Sequence, residues 1–408
     1  MELQKEESGR LKIDWVKTRM PVLKKIEEDL KREKPFSGIR IGMTIHLEAK
    51  TAYLSLVFKA GGGEVAISGS NPLSTQDDVA EALRGEGVSV YGHWGVSSHE
   101  FKENLNQVLN HKPRIIIDDG GDLTVLLHKE RRELLPGVFG CCEETTTGIT
   151  RIRALEKEGE LEFPVIGVND AFCKHLFDNR YGTGQSTWDG ILRTTNINIA
   201  GKRVVVAGYG WVGKGVALRG RGLGARVIVT EVNSIRALEA HMEGFEVMTM
   251  NEAARIGDIF ITATGSIKAI DREHLEAMKD GAILCNTGHF DVEINIPSLK
   301  ELSEEMKIAR KNITRYTLKD GRRLYLLGEG RLVNLACADG HPIEIMDLSF
   351  GLQALSALYL LRNYKNLEPK LYRVPEDIDR EVARLSLNAQ GIEIDKLTTE
   401  QEEYLRKA

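Results

Sequence analysis

The chain has 408 residues, 55 Lys and Arg against 60 Asp and Glu, 42% hydrophobic residues, only 6% aromatic ones, and 40 glycines. At roughly 150 residues per domain this length predicts two to three globular domains with enough apolar residues to fill their cores. A net charge of −5 without basic blocks argues against a nucleic-acid partner, since a phosphate groove needs clustered Lys and Arg.

The opening MELQKEESGR lacks the basic-then-apolar order of a signal peptide. No stretch approaches the ~18–20 uninterrupted apolar residues of a membrane span, so no membrane partner and a cytoplasmic location are expected. The stretch from Asp14 to Leu30 has apolar residues at helical spacing and predicts an amphipathic helix. From Pro35 to Asn169, short β-branched runs (IRIGMTI, EVAISGS, VSVYGH, RIIIDDGG, FPVIGVND) alternate with helix-patterned stretches. Such alternation predicts βα units in a parallel sheet covered on both faces.

A second series follows Gly201: KRVVVAG, ARVIVT, FEVMTM, DIFITATG and GAILCNTG. The fold class is therefore α/β, with two doubly wound parallel-sheet domains, the second beginning near residue 185. Residues 343–361 form a nearly continuous apolar helix pattern, expected to be buried between domains or subunits. From Pro375 the tail predicts one or two charged amphipathic helices. The cysteines Cys141, Cys142, Cys173, Cys285 and Cys337 are odd in number and lack C-x-x-C or metal-ligand spacing. They read as reduced thiols, with neither a disulfide framework nor a metal site expected.

The strand KRVVVAG runs into Gly208-Tyr-Gly210-Trp211-Val212-Gly213-Lys-Gly215, and the next strand ends at Glu231. This is a dinucleotide fingerprint. Gly208 permits the tight turn, Gly210 lets backbone approach a pyrophosphate, Gly213 lets helix and strand pack closely, and Glu231 suits the ribose hydroxyls. An acidic residue there favours NAD over NADP. Thr264-Gly265 and Thr287-Gly288 end the fourth and fifth strands of this domain, where the nicotinamide half would pass; alone they are ordinary turns.

Strand ends of the first domain carry dense polar clusters: His46-Leu-Glu48-Ala-Lys50-Thr51, Ser70-Asn71, Asp118-Asp119 and Glu143-Glu144-Thr145-Thr146-Thr147. Ligands bind beyond the carboxyl ends of strands in open α/β sheets. Taken singly, Asp118-Asp119 is also a plain capping turn, the threonine run a capped helix start, and Lys174 with Asp178 an i,i+4 surface pair.

These residues resemble the S-adenosyl-L-homocysteine hydrolase family over nearly the whole chain. SNPLSTQDDVAEAL, DDGGDLT, EETTTG, VNDAFCKHLFDNRYG, VVVAGYGWVGKGVA, NTGHFDVEI and EGRLVNLACADGHPIEIMD are similar to its consecutive signatures. The resemblance implies a split substrate domain (1–184 and 343–374), an NAD-binding Rossmann domain (185–342) and a short helical C-terminal tail (375–408) used in a homotetramer. It also implies a nucleoside thioether substrate, S-adenosyl-L-homocysteine. The implied chemistry is oxidation of the ribose 3′-hydroxyl by NAD, elimination of homocysteine, water addition and re-reduction.

By matching motif, the resemblance implies that Lys174 assists deprotonation of the 3′-hydroxyl beside Asp178 and Asn179, which requires a lowered lysine pKa. Asp119 handles the C4′ proton, Glu144 holds ribose hydroxyls, and His46 and His289 serve the leaving sulfur and the attacking water. Thr145, Thr146, Thr147, Asn179, Glu231, His289 and Asn334 match NAD contacts, and His341 matches a residue that closes over substrate at the hinge.

The chain departs from the commoner family pattern in three respects. Glu48 and Lys50 stand where Thr and Glu are common, at the base pocket with Thr51. A lysine paired with a glutamate suits hypoxanthine at least as well as adenine, so S-inosyl-L-homocysteine is an alternative substrate. The sequence ends at YLRKA without the extension whose Lys and Tyr reach a neighbouring subunit's NAD, which bears on cofactor affinity and exchange. Trp211, Arg236 and Thr183 replace residues that are commonly acidic, Asn and Cys. Two other readings remain: a 2-hydroxy acid dehydrogenase, for which no substrate-clamping arginine is placed by motif, and a catalytically silent nucleotide-binding homologue.

Overall fold

The computed structural model describes residues 4–407. In chain order the strands are β1 (Arg40–Thr44), β2 (Glu64–Ser68), β3 (Ser89–Tyr91), β4 (Ile115–Asp118), β5 (Gly140–Glu143), β6 (Val165–Gly167), β7 (Arg203–Ala207), β8 (Arg226–Thr230), β9 (Glu246–Val247), β10 (Ile259–Thr262), β11 (Ala282–Asn286), β12 (Ser303–Arg310), β13 (Ile313–Leu318), β14 (Arg323–Leu327) and β15 (Leu371–Arg373). The first sheet runs β15-β6-β5-β4-β1-β2-β3 and is parallel at every pairing. The second runs β12-β13-β14-β11-β10-β7-β8-β9. Both are doubly wound, as the alternating pattern predicts. Each reverses direction between its first and fourth strands, β1/β4 and β7/β10.

The central strands are apolar throughout because helices cover both faces. Ile115, Ile116 and Ile117 of β4, and Val204, Val205 and Val206 of β7, are all fully buried. A core lies on each face of each sheet.

The structure corrects the sequence expectations at three points. The opening helix is two helices, Lys5–Lys17 and Pro21–Glu33. Pro21 has no N–H to donate and its ring would clash with the preceding turn, so it starts a new helix at its first position. The second sheet is not wholly parallel, since β12, β13 and β14 pair antiparallel. Turns at Asn312 (φ +64°) and Gly321 (φ +88°) reverse the chain there.

Finally, the helix that begins at Ile343 is by length and composition apolar enough to cross a membrane, contrary to the reading of the bare sequence. It is mostly buried in the first domain's core, where Phe350, Leu352, Ala354 and Leu360 are fully covered. The tail forms two helices, Glu376–Ala389 and Thr399–Lys407.

Candidate active site

Strands β1 and β4 end side by side, with Thr44 paired to Asp118, so the residues that follow, His46 and Asp119, meet at the switch point of the first sheet. The second sheet presents its own switch point, Gly208 after β7 and Thr264 after β10, to the same cavity of about 900 Å3. Crevices at such reversals are where α/β sheets bind ligands.

Asp119 sits between two imidazoles. His46 Nε2 lies 3.3 Å from Asp119 Oδ2 and His289 Nδ1 lies 3.9 Å from Oδ1. The Ser70 hydroxyl donates to Asp119 at 2.9 Å, and His46 Nδ1 is 2.8 Å from Ser74 Oγ. Burial pushes His46 down to about 4 despite Asp119, with His289 and His341 adding to the push, so it is neutral near pH 7. Burial would raise Asp119, but His46, His289, the Ser70 hydroxyl and Lys174 outweigh it and hold the carboxylate below its ordinary value. His289 comes from the second domain and packs on Gly120, where a Cβ would lie 2.6 Å from its Nε2. One ligand atom each from His46, Asp119 and His289 lies within 4.8 Å of the others, a spacing that would also accept a metal ion.

Lys174 lies 3.5 Å from Asp178 and 3.6 Å from Glu144, and its Nζ donates to Asn179 Oδ1 at 2.7 Å. All three charged groups are buried, so the surface-pair reading of KHLFDN does not hold. The segment His175–Gly182 is a π-helix, a wider turn that brings Asp178 and Asn179 to the same lysine. Such turns recur at functional sites.

One cation cannot fully neutralise two buried carboxylates, and the pKa values separate accordingly. Burial raises Glu144 to about 8, against the pull of Lys174 and with Asp178 adding to the rise. Asp178 is held well below the ordinary range because Lys174 and His341 outweigh its burial. Burial lowers Lys174, but Asp178, Glu144 and Asp119 outweigh it and leave the ammonium above its ordinary value. The lowered pKa that the resemblance requires of Lys174 is therefore not supplied by the surrounding side chains. His341 joins this group: its Nδ1 is 2.7 Å from Asp178 Oδ1 and its Nε2 3.1 Å from Thr183 Oγ1.

Glu48 caps the helix Ala49–Ala60, accepting from the backbone N–H of Lys50 at 3.0 Å and of Thr51 at 3.2 Å. It also pairs with Lys50 Nζ at 2.7 Å, and both side chains are buried. Lys50 Nζ donates in addition to the Asp339 carbonyl at 2.9 Å.

Across the cavity, Gly208 (φ +94°) turns the chain into the helix Trp211–Gly222, whose start has no side-chain cap. Its free N–H groups suit a phosphate. Glu231 accepts from the N–H groups of Tyr209, Val232 and Asn233 at 2.7, 2.8 and 2.9 Å. Burial would raise it, and the three N–H groups outweigh burial and keep it ionised. Asn334 Oδ1 is buried without a partner among the described residues. This donor and acceptor set fits a dinucleotide.

Thr145, Thr146, Thr147, Gly210, Trp211, Val212, Arg236, Thr287, Gly288 and Thr51 all line the same cavity. Gly213 and Gly215 do not. A Cβ on Gly213 would meet Gly208 O at 1.9 Å, and one on Gly215 would meet Arg180 O at 1.7 Å. They are packing glycines, and Gly215 lets the glycine-loop helix touch the Lys174 helix.

Residues 179–340 match the profile described as S-adenosyl-L-homocysteine hydrolase, NAD binding domain, and residues 1–136 match that of S-adenosyl-L-homocysteine hydrolase. The chain belongs to the S-adenosyl-L-homocysteine hydrolase family. It is 60% identical to a protein of Pyrococcus abyssi named adenosylhomocysteinase, over 97% of this chain and 94% of that one. It is 61% identical to one of Methanocaldococcus jannaschii named S-inosyl-L-homocysteine hydrolase, over 97% and 95%. An adenosylhomocysteinase of Thermotoga maritima is 56% identical over 98% and 99%. NAD is accordingly the cofactor of the second domain.

In this member of the family several residues given no separate role above support the site. Gln353 donates to Glu144 and Ser349 to Asp178 at 2.6 Å, both from the helix Ile343–Asn363. Glu143 accepts from Gly120 N and Thr145 N, each at 2.9 Å, and so ties two site loops together. Glu293 holds the Thr264–Gly265 turn through both backbone N–H groups, and Asn286 Nδ2 bonds the carbonyls of Gly288, Phe290 and Gly330. Glu143 belongs to a polar cluster named above, Asn286 and Glu293 lie within quoted motifs, and Gln353 is a polar break in the apolar run 343–361.

Proposed function

We propose that the enzyme catalyses the reversible hydrolysis of S-adenosyl-L-homocysteine to adenosine and L-homocysteine in the cleft between the two sheets. The observation that carries this reading is the convergence, opposite the glycine loop, of two separate proton-handling groups: Lys174 with Asp178 and Glu144, and Asp119 with His46 and His289. A simple dehydrogenase needs one such group; a reaction that oxidises, eliminates, hydrates and reduces needs two.

When bound, NAD supplies reversible hydride acceptance at the ribose 3′ carbon. Gly208, Gly210, Trp211 and Val212 would hold its pyrophosphate, Glu231 and Arg236 its adenosine ribose. Thr145, Thr146, Thr147, Asn179, Thr287, Gly288, His289 and Asn334 would hold the nicotinamide half. Lys174 orients the substrate's 3′-oxygen and takes its proton, which requires that ligand binding bring the ammonium down from its raised value. Asp178 and His341, in contact at 2.7 Å, continue the path away from that oxygen. Glu144, protonated near pH 7, donates to a ribose hydroxyl. Asp119 takes the C4′ proton once the 3′ carbon is a ketone; through the imidazoles of His46 and His289 beside it that proton passes to the leaving sulfur, and the same groups later take the proton of the attacking water as C4′ regains its own. His289 packed on Gly120 limits bulk water in the cleft.

The buried Glu48–Lys50 pair favours a second substrate reading. An ammonium only donates and a carboxylate only accepts, which matches the O6 acceptor and N1 donor of hypoxanthine at least as well as the N1 acceptor and N6 donor of adenine. S-inosyl-L-homocysteine is therefore a substrate of the same site. Residues 1–184 and 343–374 form the nucleoside side and 185–342 the cofactor side. A cytoplasmic homotetramer is supported by five free cysteines and by apolar residues left exposed for a second copy, Ile235, Leu238 and Met242 on one helix and Ile394, Leu397 and Leu405 in the tail.

Purified protein, without added NAD, is incubated with each thioether while released thiol is titrated and the nucleoside identified. Thiol is expected from both; none from either sinks the hydrolase reading, and none from the inosyl compound sinks the second.

A further inference from the structure

The helix carrying Lys174 starts at Phe172, and its own N-cap residue, Ala171, makes no side-chain bond. The end is held instead from 207 residues further on. Phe172 N donates to Asp379 Oδ2 at 2.7 Å and Cys173 N donates to Asp379 Oδ1 at 2.8 Å. The Cys173 thiol donates to the Asp379 carbonyl at 3.3 Å. Asp379 is 7% exposed and belongs to the tail helix Glu376–Ala389, anchored by the fully buried Val382. Both carboxylate oxygens are used, and charge-assisted bonds of this kind are short and directional.

Beyond the clamped turn the backbone departs from α-helix. Lys174 has φ −92° and ψ −70°, against about −63° and −42° in a regular α-helix. The π-helix that follows brings Asn179 to Lys174 Nζ, and its far side is held by Ser349 on Asp178. A π-turn is rare, and this one is flanked by contacts from Asp379 and Ser349, so a first turn free to fray would let Lys174 move away from Asn179 and Asp178. We propose that Asp379 is a positioning residue for proton transfer at the ribose 3′-oxygen, pinning the first turn of the Lys174 helix so that the π register is kept. The tail, which lies outside both family matches, thereby acts on the active site of its own chain. This rests on the role given to Lys174 above.

The fold contains an internal control. Asp347 clamps the start of the helix Pro21–Glu33 in the same way, accepting from Val22 N at 2.9 Å and Leu23 N at 2.8 Å, and that helix carries no group of the site. The full-length protein with its bound NAD is compared as wild type, Asp379→Ala, Asp379→Asn and Asp347→Asn. Readouts are Tm, hydrogen exchange of residues 170–182, and the rate of reduction of bound NAD on mixing with saturating adenosine across pH.

The Asp379 variants are expected to slow reduction by about tenfold to a hundredfold, to shift its pH profile, to raise exchange in 170–182 and to leave the half-saturating adenosine concentration nearly unchanged. Asp379→Asn, which keeps one acceptor, is expected to lose less and carries the test if the alanine variant does not fold. Asp347→Asn is expected to lower Tm with wild-type rate and pH profile. An Asp379 variant that reduces NAD at the wild-type rate and profile, or an Asp347 variant with the same rate loss, overturns the proposal. Reduction surviving in Lys174→Ala would instead sink the lysine's own role, and is scored separately.

Discussion

Lys174 Nζ donates to Asn179 Oδ1 at 2.7 Å across a π-helical turn. The same ammonium faces Asp178 and Glu144, so one head group is shared by an amide and two acids of very different proton affinity. Replacing Lys174 by Ala is expected to leave NAD bound and to lower its reduction by adenosine by about 10²–10⁴-fold, the usual worth of a positioned proton-transfer group. Nicotinamide absorbance after mixing with adenosine checks this, and undiminished reduction removes the lysine from the mechanism. Asn179→Ala, which keeps the ion pairs, is expected to lose less.

His46 gives the fold a pH dependence of definite sign. Its pKa falls from 6.5 to about 4 on folding, chiefly by burial. Between those values the unfolded chain binds more protons than the folded one, so stability rises with pH across the window and is complete above it. At about 1.4 kcal/mol per pKa unit the contribution is about 3 kcal/mol. Urea unfolding of wild type and His46→Asn, followed from about pH 4 to 7, is expected to show a shallower slope in the variant. An unchanged slope assigns the acid sensitivity elsewhere.

Glu144 works in the opposite direction. Its raised pKa, about 8, means that the folded chain holds the extra proton between about 4.5 and 8, so stability falls as pH rises through that window. Glu144→Gln keeps the shape of the protonated acid and leaves an acceptor for Gln353. It is expected to flatten the fall in Tm above neutral pH, measured by scanning calorimetry. A variant as pH-sensitive as the wild type would place the proton on another group.

How much of this was readable beforehand depends on the range of the interaction. His46 and Asp119 each follow a β-branched run, and the end of a buried strand is a local feature that a sequence displays; Glu144 follows the strand Gly140–Glu143, whose glycine and cysteines carry no such pattern. The glycine loop was legible as a motif but not glycine by glycine: Gly215 exists to admit the Arg180 carbonyl, a partner on another helix that no spacing announces. The π-turn was hidden because KHLFDNRYG has ordinary helical composition; the register is imposed by partners such as Ser349 and Asp379, about 170 to 200 residues away. The break at Pro21 was local and visible, and the apolar periodicity on either side obscured it.

Gly213 offers a test of packing against contact. It does not line the cavity, yet a Cβ there would meet Gly208 O at 1.9 Å, and backbone cannot step aside as a flexible side chain does. Gly213→Ala is expected to displace the glycine loop, costing about 1–3 kcal/mol of stability and lowering the NAD that copurifies. Cofactor content by extraction and absorbance checks this. Wild-type content with unchanged Tm would mean the loop absorbs the methyl group at no cost.

On the second substrate reading proposed above, the Glu48–Lys50 pair faces a base, and the two candidate bases differ only at the purine 6-position and N1. Lys50 can donate to O6 of hypoxanthine but has no lone pair for the N6 amino group of adenine. Lys50→Gln supplies both a donor and an acceptor, so it is expected to move the ratio of kcat/KM values toward S-adenosyl- over S-inosyl-L-homocysteine. A charged hydrogen bond is worth about 1.5–3 kcal/mol, equivalent to roughly 10–150-fold in that ratio. The ratio is the right measure because Lys50 also bonds the Asp339 carbonyl, and damage to that link lowers both substrates alike and cancels. Both thioethers are assayed by thiol release on one preparation of each protein. A ratio unchanged in Lys50→Gln would show that the lysine serves only the Asp339 link, and base preference would then have to be sought in other residues of the cavity wall.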